Sequence, residues 1–150
     1  MTPNVFDFVG YYGPIILMVV TIIIMNMRTK ILLLYMAFFI INSVANGLLK
    51  LVIREPRPTG QVFMDPLEKE MDSDTYGMPS GHAQSVAYTT TFLYLFTQST
   101  SILMGASFVG VTTLYQRYKF RRHTISQLLT GTAVGALIAW ISTKIYIYSV

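Results

Sequence analysis

Cysteine is absent from this chain. That excludes a disulfide framework and a thiolate metal site, and leaves no report on the redox compartment. Charge is scarce too, since 12% of the residues are Asp, Glu, Lys or Arg against 53% hydrophobic. A soluble domain carries roughly 25% charged residues, so this balance excludes an ordinary water-soluble domain and points to a membrane protein. The scarcity is concentrated: residues 31–49 contain no charged side chain, and neither do residues 79–116. Each run can hold a spanning helix of about 20 residues. No Lys or Arg precedes the first apolar run, only Asp7, whereas a secretory leader begins with positive charge. The first segment is therefore expected to be a retained helix.

The net charge of +4 does not predict a nucleic-acid partner. The basic residues border apolar runs of membrane length, where such residues are common. Hydropathy predicts an all-α, polytopic transmembrane helix bundle in a single domain. About five spans are expected, at 11–27, 31–49, 80–97, 102–115 and 124–148, with a four-span arrangement that buries the fourth differently as the alternative. The fourth is short and holds Gly105, Ser107, Gly110, Thr112 and Thr113, a composition suited to packing among other helices. Between the second and third spans, residues 53–78 contain Pro56, Pro58, Gly60, Pro66 and Gly77 with six of the seven acidic residues. This is an extramembrane loop, with a short helix expected around 67–71. Five spans would place it on the same face as the basic segment 116–123.

Three clusters on that face carry chemistry. In the first, Lys50 is followed seven residues later by Arg57, with Pro56 and Pro58 around it. Read alone, Lys50 is a snorkelling residue at a helix end and Arg57 a solvated loop charge. In the second, Pro79-Ser80-Gly81-His82 leads into a charge-free helix. Amides at a helix start form an anion site, and glycine lets a phosphate approach the backbone. The bland alternative is an ordinary helix cap beside an interfacial histidine. The third cluster runs from Arg117 to His123 and on to Gln127. Positions 123 and 127 stack on one helical face, so the Gln127 carbonyl can hold one ring nitrogen of His123 and fix its tautomer. Lys119, Arg121 and Arg122 read as a juxtamembrane basic patch.

The order Lys-x6-Arg-Pro, Pro-Ser-x-His, then Arg-x5-His resembles the type-2 phosphatidic acid phosphatase superfamily. Gln116 and Gln127 stand where most of that superfamily has Ser and Asp. Glu55-Pro-Arg-Pro58, Tyr76-Gly-Met-Pro-Ser80, His82-Ala-Gln84 and His123-Thr-Ile-Ser-Gln127 are similar to its dolichyldiphosphatase branch. The resemblance implies a lipid phosphatase with His123 as nucleophile, His82 as general acid and Gln127 as the partner of His123. It implies that Lys50, Arg57, Ser80, Gly81 and Arg117 bind phosphate, and that neither metal nor cofactor takes part.

The implied substrate is a polyprenyl diphosphate, and the implied place a membrane, that of the endoplasmic reticulum if the chain is eukaryotic. Phosphatidic acid or another phosphomonoester is the nearest alternative. A non-catalytic binder of lipid phosphate is an alternative of another class. The oligomeric state and the side faced by the site stay open. Gly131 and Gly135 are expected to pack inside the bundle.

Overall fold

The computed structural model describes residues 3–64, 68–69 and 76–149. Six helices are named here: α1 (Val5–Tyr11), α2 (Gly13–Met25), α3 (Thr29–Ile53), α4 (Gly81–Thr97), α5 (Thr100–Lys119) and α6 (Ile125–Ser149). The all-α class holds, and local chemistry explains most boundaries. At α1, the Asn4 side chain accepts from Asp7 N at 3.0 Å while Asp7 accepts from Asn4 N at 2.9 Å, a reciprocal capping box. Helix α3 stops where Arg54 turns left-handed (φ 54°), still donating its N–H to Lys50 O at 3.0 Å. Gln98, also left-handed at φ 51°, ends α4. Ser99 caps α5 through Ile102 N, and Thr124 caps α6 through Gln127 N.

Helix α4 is the axis of the bundle, packed against α6, α5, α2 and α3. Its contact with α6 is the tightest. A Cβ at Gly131 would lie 2.5 Å from Ser80 O, and one at Gly135 would collide with Gln84 O. The Gly-x-x-x-Gly pair thus lets two backbones of the same chain touch. Tyr35, Tyr88 and Phe92, all fully buried, stack through the core with ring centroids 5.1–5.9 Å apart. Their polar tips are used: Tyr88 donates to Tyr35 O at 2.9 Å, and the Tyr35 hydroxyl bonds Thr89 at 3.0 Å.

The expectation of five spans is overturned. Among the described residues, two helices are long and apolar enough to cross a membrane, Thr29–Ile53 and Ile125–Tyr148, or three if the bent pair Val5–Tyr11 and Gly13–Met25 forms one span. Helix α4 has only 17 residues. Helix α5 has 20, but its middle is rich in Gly, Ser and Thr and its last turn carries Arg117 and Lys119. The first expected span is broken at Tyr12, with α1 and α2 at 68°, because Gly13-Pro14 interrupts the helix and restarts it. Of the short helix expected around 67–71, Glu68 and Lys69 are helical, and the rest lies outside the described residues. Large apolar side chains such as Leu33, Ile40, Leu48 and Leu51 are exposed along α3. A continuous apolar surface on a helix of spanning length meets lipid, and the chain is an integral membrane protein.

Candidate active site

The helix ends that carry the three clusters meet around one cavity of about 460 Å³. Lys50, Arg57, Gly81, His82, Arg117 and His123 all line it, with Arg122, Glu68, Asn46 and the aromatic edge of the α1–α2 bend. Lys50 lies on the inward stripe of α3 with Tyr35, Asn42 and Asn46. Position along that stripe is locked by a buried polar network. Asn46 donates to Gln84 Oε1 (2.8 Å) and Pro79 O (3.1 Å), and Gln84 donates to Asn42 O (2.7 Å) and Asn42 Oδ1 (3.0 Å). The network joins α3 to the first turn of α4, so Lys50 and His82 are held relative to each other.

His123 follows α5 in a tight turn where Arg122 N donates to Arg117 O at 2.9 Å and Arg121 is left-handed at φ 52°. Its ring is 3% exposed, and its Nδ1 donates to Gln127 Oε1 at 3.1 Å. Gln127 is itself completely buried and bonded behind His123: its Nε2 donates to Glu55 Oε1 at 2.8 Å and to Pro56 O at 2.9 Å. Gly77 makes this possible, since a Cβ there would lie 2.5 Å from Gln127 Oε1. Burial, followed by the charges of Arg57 and Arg117, pushes the His123 imidazole down to about 3, against which the Gln127 bond pulls upward. At neutral pH the ring is uncharged.

His82 donates through Nε2 to Tyr11 O at 3.2 Å, the carbonyl being acceptor only. Burial and the neighbouring charge of Arg117 hold it well below the usual histidine range. Ser80 does not line the cavity. Its hydroxyl caps α4 through Ala83 N at 3.4 Å, and its own N–H donates to Gln127 O at 3.1 Å. Gln116 also lies away from the cavity, buried beside Gly10, with neither amide atom hydrogen-bonded among the described residues.

Two charged residues of the cavity were not expected there. Arg122, read as part of a basic surface patch, is 1% exposed and stacks over Phe63, its guanidinium carbon 4.2 Å from the ring centroid. Glu68 places Oε1 2.9 Å from Arg117 Nη1 and 3.4 Å from Arg122 Nε, while Oε2 accepts from Met64 N at 2.6 Å. Lys119 instead turns away to Asp7, with both oxygens at 2.7 Å. The cavity thus combines two neutral imidazoles with clustered cations, which suits an anion of several oxygens. Among the described residues, no group of three or more His, Cys, Asp or Glu side chains comes together that could hold a metal ion.

Comparison with known proteins gives a match to the PAP2 superfamily over residues 28–150. The chain is 34% identical to human dolichyldiphosphatase 1 over 118 residues, covering 67% of this chain and 47% of that protein. It is 27% identical to dolichyldiphosphatase of Saccharomyces cerevisiae over 108 residues, 65% of this chain and 44% of the relative. With the chloroplastic lipid phosphate phosphatase epsilon 1 of Arabidopsis thaliana it shares 30% over 109 residues, 66% of this chain and 36% of the relative. The matches thus span about half or less of the length of these relatives. No solved structure matches.

Proposed function

The chain belongs to the PAP2 superfamily, and we propose that it is a lipid phosphatase that cleaves a polyprenyl diphosphate to the monophosphate and inorganic phosphate. The observation that carries this reading is the neutral, Gln127-held His123 lining one cavity together with His82, Lys50, Arg57, Arg117 and Arg122. His123 Nε2 attacks phosphorus, and the bond to the bridging oxygen breaks. His82 gives that oxygen a proton. Water then attacks the phosphohistidine, His82 takes its proton, and phosphate leaves with both histidines restored. The guanidinium and ammonium groups balance the charge on the phosphoryl oxygens, so the reaction needs positioning and positive charge rather than a metal.

Burial and like charge oppose protonation of His82. A bound phosphate dianion reverses that balance, so the general acid is charged when substrate arrives. A lipid is favoured because Tyr11, Tyr12, Pro14 and Ile15 border the cavity along the α1–α2 bend. They offer an apolar edge for a tail that stays in the bilayer. The names of the yeast and human relatives favour a dolichyl-type diphosphate, and with it the endoplasmic reticulum membrane of a eukaryote. The Arabidopsis relative's name favours a broader lipid phosphate as the second reading.

The test is phosphate release by purified protein, in excess chelator, from polyprenyl diphosphate, phosphatidic acid and phosphatidylglycerol phosphate. Release is expected, fastest from the diphosphate. Fastest release from a phosphomonoester would support the second reading, and no release with retained phosphate binding would make the chain a binder.

A further inference from the structure

Resting on the reading of His123 as nucleophile, we propose that Glu55 is a positioning residue for it, acting through Gln127 where a directly bonded carboxylate is missing. Three side chains stand in line. His123 Nδ1 lies 3.1 Å from Gln127 Oε1, and Gln127 Nε2 lies 2.8 Å from Glu55 Oε1.

The orientation of the Gln127 amide has a single solution. Its two N–H bonds reach Glu55 Oε1 and Pro56 O, a carboxylate oxygen and a carbonyl oxygen. Its oxygen receives Thr124 N–H at 3.3 Å, which only donates. A flipped amide would set oxygen against two acceptors and N–H against a donor. With Oε1 fixed, His123 Nδ1 must carry the ring hydrogen, and Nε2 keeps the lone pair that attacks phosphorus.

Pro56 O shares in fixing the orientation, but only Glu55 supplies charge. Phosphorylation at Nε2 makes the imidazole cationic, in a cavity already crowded with cations. The Glu55 carboxylate, on the far side of the amide, polarises it toward that developing charge. The backbone holds Glu55 in place, since its carbonyl accepts Gly77 N at 2.7 Å and Pro56 pairs with Tyr76 in an isolated bridge. The strand-like pair 55–56 and 76–77 thus wraps the Gln127 amide.

The experiment measures 15N spectra of the His123 ring and the kinetics of Glu55→Gln, Glu55→Asp and Glu55→Ala in the full chain. Wild-type His123 should show the Nδ1–H tautomer, and finding Nε2–H instead would overturn the proposal without any variant. Glu55→Gln should lower kcat by ~10-fold and Glu55→Ala by up to ~100-fold, with KM within about twofold, scaled down from a directly bonded triad carboxylate. Glu55→Asp should recover part of the loss, and the His123 Nδ1 proton should move upfield in Glu55→Gln. Wild-type kcat and an unmoved Nδ1 proton in Glu55→Gln would sink the role of Glu55 while leaving that of His123 standing. Undiminished turnover in His123→Ala would instead remove the reading on which it rests.

Discussion

Glu68 Oε1 sits 2.9 Å from Arg117 Nη1, so a carboxylate of the loop occupies a guanidinium assigned here to substrate phosphate. Both groups are buried, at 8% and 3% exposure. Removing one partner of such a pair leaves the other charged and uncompensated, at a cost of about 3–5 kcal/mol. A phosphate bound at Arg117 would compete with that carboxylate for the guanidinium.

Glu68→Gln is accordingly expected to lower the thermal stability of the empty protein and to raise its affinity for vanadate by about tenfold, a modest share of the energy of a buried pair. Thermal unfolding with and without vanadate measures both. Unchanged affinity would mean that Glu68 and the ligand do not compete for the same guanidinium.

The His123 imidazole should stay neutral from pH 8 down to pH 5, since burial and nearby cations place it at about 3. An unfolded histidine ionises near 6.5. Between these values the unfolded chain binds the extra proton, so this contribution to stability is complete above pH ~6.5 and lost as pH falls toward 3. The 15N shifts of His123 across this range check it, and a midpoint between 6 and 7 in the free protein would contradict it.

Gln127→Leu should reduce kcat by about 10- to 1,000-fold with little change in KM, because the tautomer is no longer set while the phosphate cradle stays intact. Steady-state kinetics decide this, and full kcat across the pH range would show that His123 is held by something else.

Gly77→Ala should reproduce part of that loss from outside the cavity. Its Cβ would lie 2.5 Å from Gln127 Oε1 and 2.7 Å from Nε2, so the amide must shift away from Glu55 and His123. The expected result is lower kcat at unchanged vanadate affinity, and an alanine variant with native kcat would show that the amide has room to move.

Much of the cavity was legible in the chain, and the reasons for what was not are physical. Lys50, Arg57, Arg117, His82 and His123 sit at or near helix ends, where sequence order and spacing foretell convergence. Gln127 follows His123 by one helical turn, so the 3.1 Å bond between them was predictable from periodicity. Arg122 was not, because a run of basic residues does not show which one turns inward. The left-handed Arg121 sends its neighbour into the cavity. Glu55 and Glu68 reach partners 72 and 49 residues away, a separation with no local signal. Hydropathy found the charge-free run 79–116 and its break after 97, but took the resulting helix for a full span, whereas α4 has 17 residues and is not among the helices long and apolar enough to cross a membrane. The first expected span was read straight through the Gly13-Pro14 pair at which the structure bends it.

The most direct test of the central claim is a rapid alkaline quench during turnover of a radiolabelled lipid diphosphate. The expected result is protein-bound label that survives alkali and is lost in acid, as a phosphoramidate is, and its complete absence in His123→Ala. Label that persists in His123→Ala, or turnover in that variant near the wild-type rate, would contradict it.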